Sequence, residues 1–325
     1  MLAQKHIGGG LTADMIEALA RGQHPELARD LVEAARRGTL QGVVKKPPRY
    51  SATTIQWHDE CARKFFWPTL AGLEGPPNAA QGFGTNLHKL TEIYETEGTL
   101  PPQTPEGRLL STGLSFLPMP KTPGMHIEEP FEYPIDDLEI VLTGTVDLWI
   151  EPKEAESTSF DLQDHKTARS IRWAKSAKWL SGNIQSNTYA KVLADRLRTA
   201  GYDRLKTVKK QWNYFYKDEK RAMPLRVVDS LAHVDAQFET VIKPNLAGMA
   251  RMVREMPKVG DVPAADKKVC EMYGGCPHYA RCWEKGAENM GAFASKFGKQ
   301  ATLEKVQAAK ATGAGAAINP PKPKP

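Results

Sequence analysis

The residues with the clearest chemical potential lie between positions 144 and 167. Asp147 stands near the middle of the apolar run GTVDLWI, and Asp164 follows FDLQ and leads into His165 and Lys166. Alternation along a strand places Asp164 and Lys166 on the same face of a sheet. Charged side chains on a helix-covered sheet face are costly unless they are paired or bound to a metal. Two carboxylates that converge there make an oxygen site suited to Mg²⁺ or Mn²⁺.

A lysine beside such a site has a role in phosphate chemistry. Lys166 can stabilise a pentacovalent phosphate, or orient a water molecule and help to deprotonate it. The combination therefore favours metal-assisted hydrolysis of a phosphodiester. The alternative is that Asp147 and Asp164 end their strands in solvent with Lys166 as a surface partner, because D-x-K triplets are common by chance.

Two further pairs of polar residues, each four positions apart, lie on predicted helices. His88 shares a helix face with Glu92 and can supply a nitrogen ligand, which favours manganese somewhat. The alternative is a partly buried structural histidine. Gln185 and Tyr189 share one face of a later helix, where the alternative is an ordinary polar contact.

All the cysteines lie at the two ends of the densest part of the sequence. Cys61 comes early, and Cys270, Cys276 and Cys282 lie in CEMYGGCPHYARC. Four thiolates can bind a [4Fe–4S] cluster or a tetrahedral zinc ion, and the ligand type alone does not decide between them. Free buried cysteines are the alternative, which three cysteines within thirteen residues disfavour. We expect a metal site that holds the ends of the domain together.

The elements that must position these residues follow from the apolar periodicity, which predicts an α/β fold with a mixed central sheet flanked by helices. A helix begins after Ser51, and other helices are predicted over 82–95, 184–197 and 234–254. Strands are predicted over 138–142, 145–150, 159–166, 208–216 and 225–228. The Thr-Gly between the first two strands suits a turn or a bulge.

The composition of the chain bears on its partners, its location and its division into domains. The chain has 325 residues, 25% of them charged, and a net charge of +6, which weakly favours polyanionic partners. It has no signal-peptide pattern and no run of about 18 apolar residues, so we expect a cytoplasmic protein that does not contact membranes. We expect a helical appendage over 1–45, a main domain over 46–288 that carries the candidate metal site and the cysteines, and a low-complexity basic tail over 289–325 that is largely disordered.

Basic and aromatic residues near the proposed site are candidates for contact with a nucleic acid. Phosphate contacts would give a salt-sensitive affinity, whereas the alternative is a solvated basic face. The residues are Lys166, Arg169, Arg172, Lys175, Lys178, Lys206, Lys209 and Lys210. Trp212, Tyr214 and Tyr216 alternate along one strand and can stack on bases, but core packing is the favoured interpretation.

Four motifs occur in one order along the chain: Gly84-x3-His88, Gly144-x2-Asp147, Asp164-His165-Lys166 and Gln185-x3-Tyr189. Together they closely resemble the RecB-type branch of the PD-(D/E)XK nuclease superfamily, over roughly residues 50–285. The resemblance implies a restriction-endonuclease-like core. It implies that the metal is bound by His88, Asp147, Asp164 and the backbone carbonyl of His165. It also implies that Lys166 is catalytic, and that Gln185 and Tyr189 support the site or contact DNA.

The cysteine arrangement adds to this resemblance. One upstream cysteine and three downstream cysteines around the nuclease motifs resemble the iron–sulfur nucleases, which include the AddB helicase-nuclease subunits and the CRISPR-associated exonucleases. The late group usually reads C-x2-C-x5-C, and here it reads C-x5-C-x5-C. The resemblance implies an iron–sulfur staple formed by Cys61, Cys270, Cys276 and Cys282, with zinc as the alternative metal.

The resemblance implies a metal-dependent DNA nuclease, an exonuclease on single strands or duplex ends in recombination or repair, which hydrolyses phosphodiesters with a metal-bound water. The chain has no G-x4-G-K-[ST] motif, so a helicase or recombinase partner would be a separate protein. The alternative function is a catalytically inactive DNA-binding module that keeps the nuclease fold and a structural metal.

Overall fold

A computed structural model describes residues 47–73, 79–271 and 276–283. These residues belong almost wholly to the unit Arg49–Pro325. The predictions for the helical appendage 1–45 and for the tail 289–325 lie outside the described residues. None of the helices in the described part combines the length and apolar character needed to cross a membrane.

The described chain is an α/β protein. Its helices are α1 (Ala52–Glu60), α2 (Ala62–Thr69), α3 (Ala79–Glu97), α4 (Pro105–Ser111), α5 (Ala177–Ser181), α6 (Ile184–Thr199), α7 (Leu231–Gln237), α8 (Lys243–Glu255), α9 (Lys267–Glu271) and α10 (Tyr279–Trp283). Its strands are β1 (Arg49–Ser51), β2 (Met125–Ile135), β3 (Ile140–Ile150), β4 (Ser159–Ala168), β5 (Thr207–Tyr216) and β6 (Arg221–Ser230).

Side-chain caps begin the helices that flank the sheet. Ser51 accepts a hydrogen bond from the Thr54 N–H at the start of α1, and Asn183 accepts one from the Ser186 N–H at the start of α6. Such caps satisfy N–H groups that have no partner inside the helix. They explain why these helices begin where the sequence predicted.

The six strands form one mixed sheet. Its order is β1-β3-β4-β5-β6, and β2 pairs with β3 in addition. β1 with β3 and β4 with β5 are parallel, whereas β2 with β3, β3 with β4 and β5 with β6 are antiparallel. The predicted mixed sheet flanked by helices is therefore confirmed.

Helices cover both faces of the sheet. On one face the main core packs α1, α6, α7 and α8 against the strands, and it includes Phe160 and Leu162 of β4. On the other face α3 and α4 pack against Phe215 through Leu87, Leu109 and Leu110. Because side chains alternate along β4, the even-numbered Asp164 and Lys166 lie on the first face, and His165 lies on the second.

Two strand boundaries and one helix differ from the sequence prediction. The strands predicted over 138–142 and 145–150 form the single strand β3, because Gly144 continues the strand without a turn. The strand predicted over 225–228 is the longer β6, which pairs with β5 along its whole length. The helix predicted over 234–254 runs from Leu231 to Glu255 and includes a π-helical turn at Phe238–Ile242.

Candidate metal centre

The candidate site lies on a part of β3 that has a neighbouring strand on one edge only. β2 occupies one edge and pairs with β3 along its length except at Glu128 and Asp147. The other edge is shared, since β1 pairs at residues 141–143 and β4 pairs at residues 148–150. The stretch from Gly144 to Asp147 is left between them. The next pair beyond the β3–β4 ladder would be Asp147 and Asp164, so the strands separate where the carboxylates stand.

The two aspartates and the lysine of the predicted site meet at this gap. Asp147 Oδ2 accepts a hydrogen bond from the His165 N–H at 2.8 Å, in place of a backbone carbonyl. Lys166 Nζ lies 2.6 Å from Asp164 Oδ2. Both carboxylates are buried. The structure thus brings together Asp147, Asp164 and Lys166 from two strands, as the sequence predicted.

The electrostatics of the site favour a cation. Burial and the neighbouring Asp147 together raise the pKa of Asp164 to about 6, although Lys166 lowers it. Two carboxylates so close together resist being ionised at the same time. A divalent cation between them removes this penalty, and oxygen-rich sites are those that Mg²⁺ and Mn²⁺ prefer.

His88 joins the site from α3, as predicted. Its Nδ1 lies 3.5 Å from Asp147 Oδ2 and 4.0 Å from Glu128 Oε1. Ligand atoms of His88, Glu128 and Asp147 all lie within 4.8 Å of one another, which is a spacing that one metal ion can bridge. Burial lowers the pKa of His88, but Glu128 and Asp147 outweigh burial and leave the pKa raised.

Glu128 is a member of the site that the sequence analysis missed. It stands on β2 opposite Asp147, because Ile127 pairs with Leu148 and Glu129 pairs with Val146. Its φ is 48°, a left-handed conformation that is uncommon for a residue with a side chain and rare inside a strand. Backbone strain of this kind concentrates at functional sites. The sequence HIEEPF carries no signal for it.

Gln185 and Tyr189 of α6 support the site from the core side. Gln185 Nε2 donates to Asp164 Oδ1 at 3.2 Å and to the Tyr189 hydroxyl at 3.1 Å. A Cβ on Gly144 would lie 2.8 Å from the Phe131 ring and 3.4 Å from the Tyr189 ring. Gly144 therefore lets α6 and β2 approach β3 closely enough to support the carboxylates.

The side chain of His165 points away from the carboxylates, toward α3. Its Nε2 lies 3.2 Å from Glu95 Oε1, and both side chains are fully buried. Burial lowers the pKa of His165, but Glu95, Asp147 and Asp164 outweigh it and leave the pKa raised. Glu92, which was predicted to share the His88 face, is exposed, and Glu95 is the carboxylate of α3 that reaches the strands. The role predicted for the His165 carbonyl stays a prediction.

One of the predicted phosphate contacts is wrong. Lys210 is fully buried, where its Nζ donates to Asn187 Oδ1 at 2.7 Å and lies 2.9 Å from Asp229 Oδ2. It cannot reach a ligand in solvent. Trp212, Tyr214 and Tyr216 are also buried, in a cluster with Leu180, which confirms the core interpretation of that strand.

The early and late cysteines contact residues from distant parts of the chain. Cys61 Sγ accepts the Ala265 N–H at 3.3 Å, and Cys282 Sγ accepts Trp67 Nε1–H at 3.2 Å. Burial raises the pKa of Cys276, to which Cys270 and Cys282 add, while Lys64 lowers it. Among the described residues, no three cysteine sulfurs lie within 4.8 Å of one another.

Comparisons with known proteins leave the family open. No protein-family model matches the sequence, and no curated protein matches it significantly. Among solved structures, the crystal structure of SSO0001 aligns with 78% of this chain and 93% of its own, at 12% identity and a TM-score of 0.33. A similarity this low carries no argument about the function of the chain.

Proposed function

We propose that this protein is a metal-dependent DNA nuclease of the PD-(D/E)XK type, with a restriction-endonuclease-like core. The observation that carries the proposal is the convergence of Asp147, Asp164 and Lys166 at the point where β3 and β4 separate. The order of the four sequence motifs supports the nuclease assignment. The net charge of +6 is compatible with a polyanionic substrate.

The side chains fit a divalent cation. Ligand atoms of His88, Glu128 and Asp147 lie within 4.8 Å of one another, and Asp164 is paired with Lys166 beside them, so three carboxylates act on a single ammonium group. When bound, Mg²⁺ or Mn²⁺ supplies Lewis-acid polarisation of the phosphate and lowers the pKa of water. Asp147 and Asp164 hold the cation, and His88 and Glu128 complete its donor set.

Lys166 acts on the substrate rather than on the cation. Burial lowers the pKa of Lys166, but Asp164, Asp147 and Glu128 outweigh burial and raise it. The side chain therefore stays protonated at neutral pH. A protonated amine beside the scissile phosphate donates hydrogen bonds to the oxygens on which charge develops, which stabilises the transition state.

The cysteines belong to the proposal as a structural metal site. Cys61, Cys270, Cys276 and Cys282 would bind a [4Fe–4S] cluster, with zinc as the alternative metal, and the order of one early and three late cysteines supports the cluster. Ligation would join α2 to the residues around Val262 and Cys282, on which Trp67 already packs.

Digestion of fluorescent single-stranded DNA tests the proposal. Wild-type protein with Mg²⁺ or Mn²⁺ should degrade the strand, and Asp164→Ala should bind it without degrading it. Wild-type protein that binds DNA but leaves it intact with both metals would reject the nuclease and support the inactive DNA-binding module. End-labelled and circular substrates in the same assay separate exonuclease from endonuclease action.

The identity of the sulfur-bound metal has its own test. Protein purified without oxygen should be brown and should contain iron and sulfide, and Cys276→Ser should lose the colour. A colourless protein that contains zinc by elemental analysis would replace the iron–sulfur cluster with zinc and leave the nuclease proposal unchanged.

A further inference from the structure

A stretch rich in tryptophan and basic residues follows β4. Between β4 and α6 the chain reads RSIRWAKSAKWLSGN. We name residues 172–179 the basic tryptophan segment, whose side chains include Arg172, Trp173, Lys175, Lys178 and Trp179. It begins six residues after Lys166, so it follows the proposed metal centre closely along the chain.

The backbone of this segment is anchored on both sides. The Ser170 hydroxyl donates to Glu219 Oε1 at 2.6 Å, and the Ile171 N–H donates to the same oxygen at 3.1 Å. Ser176 caps α5 by accepting the Trp179 N–H at 3.1 Å. A surface held in this way has less conformational freedom to lose when a ligand binds.

A chain of ring contacts joins the segment to Lys166. Lys166 Nζ lies 5.1 Å from the centroid of the Trp212 ring, and the Trp212 and Trp179 centroids lie 5.1 Å apart in an edge-to-face arrangement. Lys175 Nζ lies 5.1 Å from the Trp179 centroid. Two contacts thus separate the lysine of the proposed site from the segment.

The outer part of the segment presents a ring and cations to solvent. Trp173 leaves 45% of its surface exposed, and the Arg172 guanidinium lies 5.4 Å from its ring. Arg172 and Lys178 are exposed, and the described residues 172–179 include no acidic side chain. Exposed aromatic rings beside cations are the combination that binds the base faces and phosphates of single strands.

We propose that the basic tryptophan segment binds a single strand of DNA, with a base stacked on Trp173 and phosphates contacting Arg172, Lys175 and Lys178. The proposal rests on the nuclease function, since this strand is the one that Lys166 would meet. Bases stacked inside a duplex offer no free face to Trp173. The segment therefore selects single strands over duplexes.

Binding measured without hydrolysis tests the segment apart from the nuclease. The full chain carrying Asp164→Asn is titrated into labelled single-stranded DNA, duplex DNA and single-stranded RNA of equal length, at several salt concentrations. Trp173→Ala should weaken single-stranded DNA binding about tenfold and duplex binding less than twofold. Trp173→Phe should restore most of the loss, because a phenyl ring still stacks.

The charge variants complete the test. Lys178→Ser should weaken the binding of single strands and of duplexes equally, and it should reduce the salt dependence of binding by about one phosphate contact. Lys153→Ser changes an exposed lysine outside the segment and should alter neither the affinity nor its salt dependence. Single-stranded DNA affinity within twofold of the parent after Trp173→Ala would overturn the proposal. RNA bound as tightly as DNA would overturn the choice of DNA. If wild-type protein does not hydrolyse DNA but Trp173→Ala still weakens binding, only the nuclease function would be rejected.

Discussion

Two buried charge clusters lie on neighbouring strands of the same sheet, and they differ in their balance of charge. In the first, Lys210 of β5 faces Asp229 of β6, with Asn187 completing the lysine contacts. One cation meets one anion, and Asp229 Oδ1 also accepts the Ser181 hydroxyl at 2.6 Å. In the second, the metal centre, three carboxylates surround the single ammonium of Lys166.

The difference distinguishes an ion pair that stabilises the fold from a group of carboxylates that can bind a metal. A balanced, hydrogen-bonded buried pair is tolerated and fixes the packing of α5 and α6 on the sheet. An excess of carboxylates is costly where two of them, Asp147 and Asp164, are buried, and the raised pKa of Asp164 reflects that cost. A divalent cation from solution can remove the excess, and it brings catalytic chemistry with it.

Breaking the balanced cluster of Lys210 and Asp229 should have the largest effect on the stability of the fold. Lys210→Met leaves Asp229 as an unpaired buried anion and should reduce the free energy of unfolding by about 3–5 kcal/mol, as measured by denaturant titration. Lys210→Met combined with Asp229→Leu should recover much of that loss, since no buried charge remains. A loss below about 1 kcal/mol in the single variant would show that the pair is not structural.

Breaking the metal centre should instead remove activity and keep the fold. Lys166→Met should lower the rate of single-stranded DNA cleavage by about 10²–10³-fold, because a donor to the charged transition state is lost. Lys153→Met, at an exposed lysine that is not among the candidate DNA contacts, is the control and should retain its cleavage rate. Equal losses in both variants would contradict the role of Lys166.

A substitution of Glu128 tests whether this residue is one of the metal ligands. Glu128→Gln keeps the side-chain shape but removes a carboxylate, and it should weaken Mn²⁺ binding about tenfold in calorimetry. Glu92→Gln, at an exposed glutamate of α3, should change the affinity less than twofold. Unchanged Mn²⁺ affinity in Glu128→Gln would exclude Glu128 from the donor set.

The two clusters should also differ in their response to pH. The pKa of Asp164 is raised to about 6, so this carboxylate takes up a proton as the pH falls through that value. Protons and Mn²⁺ compete for its oxygens, so Mn²⁺ affinity should be full above about pH 7 and decline below about pH 6. Metal-free protein should lose stability as the pH rises through about 6, because the folded state binds the proton more tightly than the unfolded state. A flat Mn²⁺ affinity between about pH 5 and 7 would contradict this reading of Asp164.

The residues that the sequence predicted correctly are those whose position follows from a local pattern. Strand alternation placed Asp164 and Lys166 on one face, and helical spacing placed Gln185 beside Tyr189. The mixed sheet followed from the alternation of helical and strand periods. These patterns depend on neighbours along the chain, so one sequence is sufficient to read them.

The missed features depend on contacts between distant segments. Glu128 reaches the site because β2 pairs with β3 in a particular register and because its own backbone adopts a positive φ. Lys210 can be buried because Asp229 lies on the neighbouring strand β6, two residues beyond its paired residue Val227, and the predicted strand 225–228 ended before Asp229. Glu95, and not Glu92, is the carboxylate of α3 that reaches β4, because the position at which α3 crosses β4 does not follow from periodicity along one helix.

Anomalous diffraction from crystals grown with Mn²⁺ tests the central claim most directly. We expect a manganese peak in the gap between β3 and β4, coordinated by the carboxylates of Asp147 and Asp164, and its loss in Asp147→Asn. Ordered crystals that contain Mn²⁺ but show no peak at those carboxylates would contradict the account.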